Sequence, residues 1–219
     1  MNSIDKRNNV KTDYDLIAKQ YGEEFGNYIE DINIYEEFEK YLKKGTTILD
    51  IGAGSGRSYA YFNKKGYNYI AYDFSENMKK CAYELHGEFP YIVDDVVNVK
   101  NHFADNSVET VFAIYTLFHL PDEDFEKALK DVSDILKTDG IFLLSYCVGN
   151  GEMFDDEPYL GENGKAVLYM NYMNRDHVNE LLAKNNFDIL FETTKHEAGE
   201  NIIGEDGNDA VFVITKKKG

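Results

Sequence analysis

The chain has no tryptophan, only two cysteines and only three prolines in 219 residues. Cys81 and Cys147 have no partner at ligand spacing, so they read as small apolar residues rather than as a disulfide or a metal site. A reducing, cytoplasmic compartment fits that usage. Basic residues are scarce as well: 23 lysines and arginines against 40 acidic residues give a net charge of −17, which repels a polyanion. The basic run Lys216-Lys217-Lys218 reads as a solvated tail, so nucleic acid is disfavoured as a partner. No apolar run approaches the roughly 20 residues that span a bilayer, and Met1 to Arg7 lacks the apolar core of a secretion signal. The five histidines, at 86, 102, 119, 177 and 196, are scattered without ligand pairing, and no metal is expected. Internal repeats, G-x-S-x-G, H-E-x-x-H, Walker and C-x-x-C patterns are all missing.

What is present is a hydrophobic fraction of 43%, ordinary for one globular domain, and one organising stretch, Thr46-Thr47-Ile48-Leu49-Asp50-Ile51-Gly52-Ala53-Gly54-Ser55-Gly56. Its first half has the β-branched, apolar composition of a strand buried on both faces. Its second half places three glycines at alternate positions, where a chain turns at positive φ or lets a ligand reach main-chain atoms. Strand, tight turn and helix start in this order make a nucleotide-type pocket at the carboxyl end of a first strand. The dinucleotide fingerprint would need a third glycine at 57; Arg57 stands there, which disfavours a nicotinamide cofactor. Asp50 at the head of the turn suits a cation such as an ammonium or sulfonium. A second acidic residue, Asp73, ends the next expected strand, where a carboxylate can accept both ribose hydroxyls.

With these residues the chain resembles the class I S-adenosylmethionine-dependent methyltransferases. The resemblance runs through Asp50 to Gly56, Asp73-Phe74-Ser75, Asp94-Asp95, Leu117-Phe118-His119-Leu120-Pro121 and Leu136-Lys137-Thr138-Asp139-Gly140. It implies an α/β fold: a doubly wound, Rossmann-like seven-stranded sheet, mostly parallel with an antiparallel C-terminal strand, and helices on both faces. One domain, 1–219, is expected. Residues 1–45 would hold N-terminal helices and a possible lid, 46–146 the cofactor-binding core, 147–173 an insertion that could cap the substrate, and 174–219 a last helix and a hairpin. Residues 1–11 read as disordered. Tyr14, Ile17, Ala18, Tyr21 and Phe25 then recur at helical spacing.

The resemblance also implies roles. Tyr14 and Tyr21 match the lid, or simply pack. Gly52, Ala53 and Gly54 match the turn against the methionine moiety, with Asp50 acting on its ammonium end. Asp73 matches the ribose acceptor, and Phe74 could lie on the adenine face. Asp95 with the Val96 amide, or Asp94 one register away, matches the pair that reads the adenine edge. Met78 falls on the buried face of the helix that follows, with Cys81, Ala82 and Leu85. Tyr115 ends the fourth strand where such a sheet opens onto its ligand. His119 is either a general base or a residue that orients its loop. Met153, Phe154 and Tyr159 in the insertion either wall the acceptor pocket or fix the loop. The expected activity is methyl transfer from S-adenosylmethionine to a small molecule at oxygen, nitrogen or sulfur; a cofactor-binding module without turnover is the alternative outside the enzymes.

Overall fold

A computed structural model describes residues 1–156, 167–196 and 209–219. The sheet grows from β1 (Thr47–Ile51), which pairs in parallel with β2 (Asn68–Asp73) on one side and β4 (Val108–Ala113) on the other. Beyond β2 lies β3 (Tyr91–Val93), and beyond β4 lies β5 (Leu136–Val148), both parallel. The chain thus winds outward from β1 in one direction and then jumps back to wind in the other. The crevice at the carboxyl ends of β1 and β4 is the point where such a sheet opens.

Alternation along the central strands fills both faces. Leu49, Ile51, Val111, Ala113, Phe142 and Leu144 face the helices α5 (Asp122–Ile135) and α6 (Arg175–Lys184). Ile48, Phe112, Ile114 and Leu143 face α2 (Ile32–Glu39), α3 (Arg57–Lys64) and α4 (Glu76–His86). With side chains pointing alternately up and down, a strand that is apolar at every position can only be central.

The terminal hairpin forms as expected. β9 (Asp209–Lys217) runs antiparallel beside β5, from Ile141↔Lys216 to Cys147↔Ala210, and β8 (Phe187–His196) lies antiparallel outside β9. These seven strands are the expected sheet. Two more extend it to nine, because β6 (Gly151–Asp156) and β7 (Val167–Met173) form an antiparallel ribbon. β7 joins β5 only at Cys147↔Tyr172 and Val148↔Met173. Since β9 already occupies one edge of Cys147, β7 takes the edge that β4 vacates after Ala113↔Leu144. Ala166 to Tyr172 already reads in sequence as a possible added strand, and β7 is that strand; the glycines and polar residues of 147–165 hid its partner β6 from a reading by composition. Tyr159 lies outside the described residues.

Three further expectations are corrected. Residues 1–11 are not disordered, for α1 runs from Ser3 to Phe25 with the Asn2 side chain capping the Asp5 amide at 2.9 Å. Its first turns are polar in sequence and are held by tertiary contacts: Val10 is buried with Leu168 and Tyr169 of β7, and Arg7 forms ion pairs with Asp95 and Asp124. In sequence Asp122, after Pro121, reads as the cap of the helix that carries Phe125, Ala128, Leu129, Val132 and Leu136 inward, and it does not cap that helix, α5. Pro121 holds the cap position, and the Asp122 carboxylate accepts from Asn171 Nδ2 at 2.8 Å instead. Finally, the apolar run Ile141 to Tyr146 reads in sequence as the fifth strand, but β5 starts earlier, at Leu136, with a register shift against β4 and Asp139 at a φ of 62°.

α1 lies close against α4 because Gly22 has no side chain. A Cβ there would stand 2.0 Å from Cys81 Sγ, far inside van der Waals contact. The close approach sets α1 across the carboxyl end of the sheet, where it touches both α4 and β7.

Candidate functional site

The glycine turn after β1 and the ends of β2, β3 and β4 open into a cavity of about 690 Å³, roofed by α1. Gly52, Gly54, Asp73, Phe74, Met78, Asp94, Asp95, Val96, Tyr115 and His119 all line it, together with Tyr14 and Tyr21 from the roof. A smaller, more polar recess of about 350 Å³ adjoins it and shares Tyr21, Gly52, Gly54 and Tyr115 as walls. Asp50 and Ala53 line only this recess.

Gly54 sits at a φ of 50°, and a Cβ added to it would meet no protein atom within 4 Å. The turn is therefore shaped to leave room for something that is not protein. Asp73 is buried; its Oδ2 accepts the Gly54 amide and its Oδ1 the Ser75 amide, each at 2.9 Å. A carboxylate takes about four hydrogen bonds, so Asp73 keeps accepting capacity on the cavity side beyond its backbone donors. Burial pushes the Asp73 carboxyl up to about 6, against the opposing bonds from the Ser75 and Gly54 amides.

Asp50 lies below the turn. It accepts from the Tyr69 hydroxyl, and burial pushes it up to about 7 in spite of bonds from Tyr69 and Ser58. Asp94 is tied by three donors: the Asp95 amide at 2.7 Å, Asn98 Nδ2 at 2.8 Å and His102 Nε2 at 2.8 Å. Asp95 caps the following 3-10 turn through Val97 at 3.3 Å and pairs with Arg7 Nε at 2.8 Å. Tyr115 adopts a φ of 55°, an uncommon conformation for a bulky residue that persists only where neighbours enforce it. Here the Ser145 hydroxyl accepts its amide at 2.7 Å and Asp31 accepts its hydroxyl at 2.6 Å.

His119 is buried with both nitrogens engaged. The carbonyl of Tyr169, 2.8 Å from Nδ1, can only accept, so Nδ1 carries the proton and Nε2 accepts the Tyr14 hydroxyl at 2.9 Å. Burial drives the imidazole down to about 4 despite the Tyr169 bond, so it is neutral at pH 7. It links the loop after β4 to the ribbon and to the roof.

Arg7, Val10 and Thr116 also line the cavity and were missed. Arg7 and Val10 continue the stripe of Tyr14, Ile17 and Tyr21 backward at spacings of three and four, and that was the available signal. Thr116 carried none. Among the described residues no cluster of three or more His, Cys, Asp or Glu side chains could hold a metal, and no helix is long and apolar enough to cross a membrane.

A doubly wound sheet with a glycine turn, a buried acid and a helical roof at its switch point is an architecture of the nucleotide-binding type. Residues 49–144 match the methyltransferase domain family. A phosphoethanolamine N-methyltransferase 1 of Triticum aestivum is 33% identical over 108 residues, which are 47% of this chain and 22% of that protein; the chain spans about a fifth of that relative's length. A Methanosarcina mazei S-adenosylmethionine-dependent methyltransferase is 20% identical and superposes with a TM-score of 0.70, over 84% of this chain and 98% of its own. A Burkholderia thailandensis 1,6-didemethyltoxoflavin-N1-methyltransferase, with 1,6-didemethyltoxoflavin and S-adenosylhomocysteine bound, is 14% identical with a TM-score of 0.74, over 100% and 92%. The chain thus carries a methyltransferase domain at residues 49–144 and has the fold of the S-adenosylmethionine-dependent methyltransferases.

Proposed function

We propose that the chain transfers a methyl group from S-adenosylmethionine to a small molecule at oxygen, nitrogen or sulfur. The observation that carries this reading is the convergence of Gly52, Gly54, Asp73 and the Asp95–Val96 turn on one cavity under α1. The cofactor supplies an electrophilic methyl on a sulfonium, which an acceptor lone pair attacks in line. The protein's part is to orient and to exclude water. Asp73 accepts the ribose hydroxyls, Phe74 faces the base, and Asp95 with the Val96 amide reads the adenine edge, since Asp94 already receives three donors. Met78, Tyr21 and Tyr14 close the space from the roof side. Toxoflavin-type and phosphoethanolamine methylation in the relatives supports a small acceptor, as does the net charge of −17. A radiolabelled-methyl assay against a metabolite panel tests the reading. Tight adenosylhomocysteine binding without transfer to any member would make the chain a binding module instead.

Two outcomes follow from the titrating groups. If Asp73 accepts the ribose as a carboxylate, cofactor affinity rises with pH through about 6, falling up to about tenfold per unit on the acid side. The sign follows because the ligand selects the ionised form, so binding releases a proton. Calorimetry in two buffers of different ionisation enthalpy reads that release, and Asp50→Asn removes the neighbouring group near 7 that would otherwise overlap. Proton uptake on binding would contradict the assignment.

The second concerns the Tyr14–His119 bond. As a clamp on the roof it contributes about 0.5 to 1.5 kcal/mol, so Tyr14→Phe should weaken adenosylhomocysteine binding roughly 2- to 12-fold and leave the shape of the pH–rate profile unchanged. A loss of turnover above a hundredfold with a shifted acid limb would make the pair a proton relay instead.

A further inference from the structure

Arg7 is the one lysine or arginine that lines the larger cavity among the described residues, and it is carried by the roof. Its Nε donates to Asp95 Oδ2 at 2.8 Å, and its Nη1 donates to Ser3 Oγ at 2.9 Å and to the Asp124 carboxylate. One guanidinium thereby joins α1, the turn after β3 and the first turn of α5. At 12% and 13% exposed, the Arg7 and Asp124 side chains are little screened by solvent. Burial opposes the charge on Arg7, but the bonds and charges of Asp95 and Asp124 outweigh it, so it stays protonated. Asp124 itself does not line the cavity.

Asp95 has little else to hold its carboxylate. Its Oδ1 accepts the Val97 amide at 3.3 Å, a long bond, and its Oδ2 has Arg7. The neighbouring Asp94 carboxylate, by contrast, takes three donors at 2.7 to 2.8 Å. Charge-assisted bonds from a planar guanidinium fix an acceptor in direction as well as in place. Without Arg7 the Asp95 side chain, 26% exposed, is free to turn toward water.

We propose that Arg7, anchored by Asp124, is a positioning residue for Asp95 and so sets the preference of the site for a 6-amino purine over a 6-oxo purine. The inference rests on the reading of Asp95 as the acceptor of the base's amino group and adds what aims it. A fixed carboxylate accepts an amino hydrogen and repels an oxo oxygen, and a site built to bond one edge rejects the other strongly. A carboxylate that swings away loses the bond and the repulsion together, so the two bases become nearly equal.

The test compares S-adenosylhomocysteine with S-inosylhomocysteine, which differ only in that edge of the base, by calorimetry on the wild type and on variants. The wild type should prefer the adenosyl ligand by about 10- to 150-fold, the worth of a charged hydrogen bond. Asp95→Asn should abolish or reverse that preference, because an amide can also donate to the oxo edge. In Arg7→Gln both ligands weaken as the roof loosens, but the ratio between them should fall below threefold. Arg7→Lys keeps the charge without the fork and should fall between. Asp124→Asn should cut the ratio about two- to fivefold, as a neutral bond replaces a charged one. Combined with Arg7→Gln it should cut the ratio no further, since it acts through Arg7. An Arg7→Gln variant that weakens both ligands by the same factor, or a double variant in which the two losses add, overturns the proposal; loss of the preference in Asp95→Asn would then leave the base assignment standing. A preference that survives Asp95→Asn, or a wild type that binds the two ligands equally, removes the base assignment and the proposal with it. A wild-type protein that binds neither ligand removes the cofactor reading beneath both.

Discussion

Gly54→Val abolishes adenosylhomocysteine binding while the protein remains folded. The position has a φ of 50°, and a Cβ would project into open space inside the cavity rather than into the core. Two costs combine. A β-branched residue in the left-handed region is strained by about 1 to 3 kcal/mol, which lowers stability. Two added methyl groups occupy volume that the ligand needs, and overpacking costs a further 1 to 3 kcal/mol or more in a closed site. The lost volume predicts a fall in affinity of about 5- to 150-fold or more, and the strain a moderate drop in the thermal midpoint with unchanged far-ultraviolet circular dichroism. Gly54→Ala should fall between. Near-wild-type binding by the valine variant would remove the cofactor from this turn.

Asp73→Ala is the second large effect. The carboxylate holds two backbone amides, those of Gly54 and Ser75, and in the proposed complex also takes the ribose. Its loss removes charge-assisted bonds of about 1.5 to 3 kcal/mol each and leaves the Gly54 amide without its acceptor, so the turn itself loosens. Adenosylhomocysteine affinity should fall about a hundredfold or more. Asp73→Asn keeps a single carbonyl acceptor and should lose less. Unchanged affinity of the alanine variant in calorimetry would show that the ribose lies elsewhere.

Much of this site was legible before any coordinates. The alternation of apolar strands with amphipathic helices from Thr46 onward is a local property, and local periodicity decides whether a segment becomes a buried strand or a one-faced helix. Asp50, Gly52, Gly54, Asp73 and the Asp94–Asp95 pair were found because each sits at the end of such a strand, at a spacing that the chain itself displays. The Ser75 cap likewise needs only its own neighbours: its hydroxyl accepts the Met78 amide at 3.0 Å. Other features depend on residues distant in sequence. The first turns of α1 read as polar because their stabilising partners, Asp95, Asp124, Leu168 and Tyr169, lie far along the chain. An added strand was readable at 166–172, but its partner β6 went unseen, because its polar and glycine content resembles a loop until it pairs with β7.

The sequence by itself determined the winding of the sheet, the glycine turn and the acids that face it, because strand periodicity, positive-φ turns and strand-end positions are encoded over a few residues. Only the tertiary structure decided that α1 roofs the cavity, that His119 is neutral with both nitrogens occupied, and that Arg7 ties the roof to Asp95 and Asp124. Those three depend on burial and on which side chains meet across the fold, and free energies of desolvation and pairing have no value until the surroundings are assembled.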